Sequence, residues 1–115
     1  MSRTMKRSSS RVLLVFVTTS SRREAMDIAQ AAVGKKLAAC GNVIPSVTSI
    51  FRWKRKIEKG REALLIMKTS KRQYAALQEL VRAMHSYEVP EVIALTVEQG
   101  LHPYLAWVLN ETATD

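Results

Sequence analysis

The stretch Met84–Leu95, MHSYEVPEVIAL, decides how this chain folds. An apolar pattern of helical period precedes it and an apolar strand pattern closes it. It is either a chemical site, with a histidine, a tyrosine and two glutamates around one proline, or a joint between two elements. Pro90 favours the joint, because the residue before a proline is driven out of helical geometry, and Val89 is therefore extended. Val92-Ile93-Ala94-Leu95 then enters a sheet directly. Met84 is expected to close the apolar face of the helix, and His85 to sit where a cation suits the helix's negative end. Tyr87 and Glu88 stay on the connection, where an apolar ring with a polar tip can reach a neighbouring subunit.

Working outward from this joint, Ser70-Lys71-Arg72-Gln73 reads as a capping box opening a helix with Tyr74, Leu77, Leu80, Val81 and Met84 inward. Glu62–Thr69 before it reads as a strand, and Lys54–Gly60 as a charged turn. Asn42–Pro45 and Val47–Trp53 form a long strand interrupted at Pro45, which donates no ladder hydrogen bond and so favours an edge or a bulge. Nearer the N-terminus, VLLVFVTT (12–19) is apolar and β-branched, as a buried strand is. A second S-x-x-E box at Ser21–Glu24 starts a helix with Ala25, Ile28, Ala29, Ala32, Val33 and Leu37 inward, and Gly34 weakens its interior. After Val97, His102-Pro103 opens a terminal helix, with proline at a permitted early position.

The order β-α-β-β-α-β with an added helix predicts an α+β, ferredoxin-like sandwich: one four-stranded sheet with both main helices on one face. That leaves the other face bare. Val12–Val15 and Leu64–Met67 are apolar at consecutive positions, so both faces of those strands require burial. Self-association is the expected cover.

At 115 residues the chain is read as a single domain over 11–112 behind a disordered basic tail, 1–10. No apolar run approaches the length of a membrane span, so no membrane partner is expected. A single cysteine, Cys40, excludes a disulfide framework and suits a reducing compartment. The cytoplasm is the expected location, or an organelle if the Arg/Ser-rich tail is a transit-peptide remnant. The net charge of +8 is local: residues 1–11 hold four cations and no acid, and 52–61 hold six cations against Glu58. A tail and a solvated loop account for it.

Five blocks carry a resemblance: Lys36-Leu37-Ala38-Ala39-Cys40, Asn42–Pro45, Ser49-Ile50-Phe51-Arg52-Trp53, His85–Glu91 and Tyr104-Leu105-Ala106-Trp107. In this order and spacing they resemble the CutA family of divalent-cation tolerance proteins, from about Val12 to Trp107. The resemblance implies a PII-like ferredoxin fold, assembly as a homotrimer, and copper or another divalent cation as the bound species, with no cofactor required. Metal-binding bacterial relatives resemble one another in a cysteine at the end of the first strand and two adjacent histidines before the Tyr-Glu pair. Here Val17 and Met84 stand at two of those positions and His85 at the third, so the resemblance implies weak metal binding through His85 alone.

The resemblance implies that Trp53, Glu62, Lys68, Tyr87, Glu88 and Tyr104 lie near subunit junctions, where a trimer would gather them into an inter-subunit cleft. The alternative function is thus a PII-like trimeric sensor binding a small anionic ligand there. Cys40 is expected to be a small buried hydrophobe and His102 a surface residue. No phosphate-cradling glycine cluster and no C-x-x-C, H-x-x-x-H or G-x-S-x-G occurs, so no enzyme is expected. An RRM shares the element order, but Leu64–Met67 supplies no base-stacking aromatics, and nucleic acid is not an expected partner.

Overall fold

A computed structural model describes residues 11–114, so the basic tail expected over 1–10 lies outside the described residues. The elements are β1 (Val12–Thr19), α1 (Arg22–Gly34), β2 (Cys40–Trp53), β3 (Lys56–Ser70), a 3₁₀ turn (Lys71–Gln73), α2 (Tyr74–Met84), β4 (Val92–Thr96) and α3 (His102–Glu111). The sheet is antiparallel in the order β2-β3-β1-β4, the ferredoxin-like arrangement expected from the sequence.

Strand alternation sorts the side chains. Val15, Val17, Leu65 and Met67 turn under the helices and are fully buried against Ala25, Ile28, Leu77 and Val81. Gly41 lets α1 sit close to the sheet, since a Cβ there would lie 3.0 Å from Ala29 Cβ. α3 seals one end with a second small core of Val12, Ala39, Leu105 and Val108. Leu14, Phe16, Leu64 and Ile66 point to the other face, of which α3 covers only the end at Val12, and are half-buried.

Several local expectations change. The helix with the first cap ends at Gly34 itself, so that glycine weakens no interior; Val33 is 40% exposed and Leu37 lies beyond the helix. Met84, 38% exposed, does not close the apolar face of α2, which Leu77 and Val81 fill. The seven-residue turn is a two-residue turn, Lys54-Arg55, because β3 already pairs Lys56 with Trp53. Charged residues and Gly60 hide the strand period in a hairpin that lacks a core to alternate against. β2 runs unbroken through Pro45, with a register shift between Ile44 and Val47. Beyond this shift the hairpin leaves the helices and projects as an arm, which gives the molecule its 53 Å long axis. Ile50, Trp53 and Ile57 on the arm are 70%, 59% and 72% exposed.

The arm's turn is strained. Lys54 and Arg55 take φ of 50° and 69°, the left-handed region that a tight hairpin demands and that side chains resist. Arg55→Gly should therefore raise stability in urea unfolding by about 1 kcal/mol, net of glycine's extra freedom in the unfolded chain. A loss of stability would show that the Arg55 side chain holds the turn.

Candidate functional site

The joint after α2 is built on a buried imidazole. His85 leaves the helix with extended backbone (φ −77°, ψ 142°), while its N–H still donates to Val81 O at 2.9 Å. Its ring enters the protein and is fully shielded from solvent. Nε2 lies 2.7 Å from Thr18 O, and the Tyr87 N–H donates to Nδ1 at 3.0 Å. A backbone N–H only donates, so Nδ1 is the bare nitrogen and Nε2 carries the proton to the Thr18 carbonyl. The ring is neutral and both nitrogens are used. This corrects the expected cation at the helix end: the side chain points into the sheet edge rather than along the helix axis. The Glu24 carboxylate, 3.9 Å from Nδ1, is consequently a neighbour and not an ion-pair partner.

Glu24 binds the two ends of the joint. Its Oε1 accepts from Ser20 N (2.9 Å), Ser20 Oγ (2.9 Å) and Ser86 Oγ (3.2 Å), and its Oε2 from Ser86 N (2.6 Å). Only half of the capping box forms as expected: Glu24 N donates to Ser21 Oγ at 3.1 Å, but the carboxylate reaches Ser20 instead of Ser21. Burial pushes the Glu24 carboxyl up, and the hydrogen bonds from Ser20 and Ser86 outweigh it, holding the pKa below its ordinary 4.5.

The six residues expected in a cleft divide within one chain. Tyr87 and Glu62 meet: the phenol donates to Glu62 Oε2 at 2.8 Å, and Ser49 Oγ donates to Oε1 at 2.6 Å. Burial and then the Glu62 carboxylate push the Tyr87 hydroxyl up to about 12. Lys68 and Tyr104 belong to a second group. Lys68 donates to Asn42 Oδ1 and pairs across the ladder with Cys40, whose Sγ is 3.8 Å from Tyr104 OH. Burial, and then Cys40, raise the Tyr104 hydroxyl above its ordinary value. Trp53 stands apart at the arm's turn under the Lys54 ammonium, and Glu88 lines a shallow depression with Gln78 and Arg82. Cys40, half-buried, is no core hydrophobe. Its place at the first residue of β2 depends on strand register, which also brings in Asn42 and Ser49.

The profile of the CutA1 divalent ion tolerance protein matches residues 13–111. The chain belongs to the CutA1 family. It is 54% identical over 101 residues to mouse Protein CutA, covering 88% of this chain and 57% of that protein. With the Thermus thermophilus divalent-cation tolerance protein CutA it shares 40% identity over 86% of this chain and 96% of the relative. A crystal structure of CutA1 from Oryza sativa superposes with a TM-score of 0.88 at 37% identity, over 94% and 99% of the two chains. The chain thus spans a little over half the length of the mammalian relative and nearly all of the bacterial one.

The CutA1 name implies a divalent ion, and the side chains do not fit a resident one. Among the described residues no three His, Cys, Asp or Glu side chains gather. Val17 is fully buried, Met84 lies on the exposed flank of α2, and His85 has no free nitrogen.

His85→Ala should cost about 3 kcal/mol in chemical unfolding without added metal, because it strands the Thr18 carbonyl and the Tyr87 N–H. A loss below about 1 kcal/mol would mean that water replaces the ring. Glu24 adds a pH dependence. A carboxyl with a depressed folded pKa stabilises above its unfolded value near 4.5, and that stability is lost as pH falls through the folded value. Glu24→Gln should flatten this part of the acid limb in thermal melts between pH 3 and 6; an unchanged limb would assign the dependence to other carboxyls.

Proposed function

We propose that the protein serves divalent-cation tolerance as a homotrimer that meets copper or another divalent cation weakly, without holding one as a resident cofactor. The observation that carries this reading is the bare sheet face. Leu14, Phe16, Leu64 and Ile66 lie there half-buried, flanked by Ile93 and Leu95 at 53% and 57% exposure. The arm has no core of its own, and an isolated two-stranded hairpin is marginal in water. Laying the arm of one subunit on the bare face of the next is a heterologous contact, which closes into a ring when the rotation between subunits is a simple fraction of a turn. The family resemblance supports three as the number. Within the ring the two half-sites, Tyr87–Glu62–Ser49 and Lys68–Asn42–Tyr104, come under a neighbouring subunit. Self-association is the only partnership assigned. No catalytic step is assigned, and the arm's cations are read as a solvated surface rather than a nucleic-acid one. No helix among the described residues is long and apolar enough to cross a membrane. The lone cysteine supports a reducing compartment, the cytoplasm or an organelle.

A second reading rests on Lys68. Its ammonium donates to Asn42 Oδ1, and its cross-strand partner Cys40 meets the Tyr104 hydroxyl, so this group supplies the cation that a PII-like sensor of a small anionic ligand requires.

Light scattering should give a mass near three times 12.9 kDa, and Ile93→Glu should yield monomers. A wild-type monomer stable at micromolar concentration would remove the ring and with it the cleft. Copper titration by calorimetry should show no tight stoichiometric site, and any weak heat should persist in His85→Gln; a tight site lost in that variant would restore the histidine as a ligand. A metabolite panel read by thermal shift, with Lys68→Gln as control, tests the sensor reading.

A further inference from the structure

Three segments distant in sequence meet where β1 begins, β3 gives way to α2 and α3 ends, and they enclose a surface cavity of about 490 Å³. This lies within the size range of small-molecule sites. Arg11, Lys71 and Arg72 line it, with Ser70, Leu109 and Thr112. No acid is among its lining residues within the described part of the chain, although Glu111 occupies the last turn of α3; Asp115 lies outside the described residues. None of the three cations makes a salt bridge among the described residues. Three positive charges around one concavity repel each other and raise the local concentration of anions.

The walls are held in place independently of any ligand. Lys71 N–H donates to Arg11 O at 2.7 Å, which ties the start of β1 to the 3₁₀ turn. Gln73 Nε2 donates to Thr112 O at 3.0 Å, which ties the same turn to the end of α3. Ser70 Oγ accepts from Gln73 N at 3.3 Å, so its hydroxyl proton remains available to an acceptor in the cavity. Leu109 supplies an apolar wall.

The geometry points to this cavity as a binding site for a small organic dianion, a phosphate monoester or a dicarboxylate. Its charge meets Arg11, Lys71 and Arg72, and its short carbon skeleton lies against Leu109. The site shares no residue with the inter-subunit cleft, and all the residues that line it here come from one chain.

Calorimetric titration of the full chain with phenyl phosphate and with succinate, at constant ionic strength set by sodium chloride, tests it. One saturable site per chain is expected, with millimolar or tighter affinity for at least one probe; whichever probe binds more tightly identifies the source of the dianion. Arg72→Gln and Lys71→Gln should each weaken that probe about tenfold, the loss of one charge-assisted hydrogen bond. Lys59→Gln on the arm and Lys68→Gln in the cleft should leave it within about twofold. In an NMR titration with the same probe, amide shifts should cluster at 70–73 and 109–113. The absence of saturation with both probes overturns the proposal. So does equal weakening by Lys59→Gln, which would reduce the effect to net charge, or weakening by Lys68→Gln alone, which would move the site to the cleft.

Discussion

A sheet whose central strands are apolar on both faces must be covered twice; α1 and α2 cover one face, and α3 covers only the Val12 end of the other. Val15, Val17, Leu65 and Met67, on the helix side, are fully buried. Their alternating neighbours Leu14, Phe16, Leu64 and Ile66 shield one another only sideways and stay half-buried. Full burial of one such side chain is worth about 1.5–3 kcal/mol, so the uncovered face holds a driving force comparable to that of the core itself. The position of the arm, the grouping of the polar side chains and the case for assembly all follow from this imbalance.

Pro45 marks where the two demands on β2 separate. On one side Val43 packs against the core, and Gly41 makes room for α1. On the other, from Val47 to Trp53, the strand pairs with β3 alone and contributes no residue to either core. A proline in an edge strand gives up a hydrogen bond that nothing would have accepted, and the register shift beside it lets the arm turn away from the helices. The same residue keeps other chains from adding to that edge by simple strand pairing.

The order of elements was legible because each carried its own period: VLLVFVTT as a buried strand, Leu77 and Val81 at helical spacing, Val92–Leu95 after the Val89-Pro90 break. What was not legible depended on groups meeting across the fold. Glu24 reads locally as a capping glutamate, and its second role at Ser86 requires the α2–β4 joint to pass the start of α1. Cys40 meets Tyr104 across 64 residues, which no spacing reveals. The arm was underestimated for a different reason. A hairpin with no core face has no apolar alternation, so Lys56–Arg61 resembles a solvated loop although every residue is laddered to β2.

The histidine that resembles a metal ligand is instead part of the joint, and the two roles exclude each other on one ring. Nδ1 accepts the Tyr87 N–H, which turns the chain out of α2 and places the phenol on Glu62. Nε2 anchors that turn to the end of β1 through Thr18 O. A cation at either nitrogen would take its lone pair or displace its proton, leaving a buried backbone group unpaired at about 1–3 kcal/mol. The adjacent thioether offers no compensation. Consecutive residues at a helix end face different directions, and here Met84 lies outside while His85 lies inside. A second donor would have to come from the position of Val17, whose hydrocarbon side chain fills the core beneath α1 and α2. In this chain two of the metal-ligand positions that the family resemblance implies, those of Val17 and His85, are filled by buried side chains that pack and tie the fold together, and the third, Met84, lies on the surface.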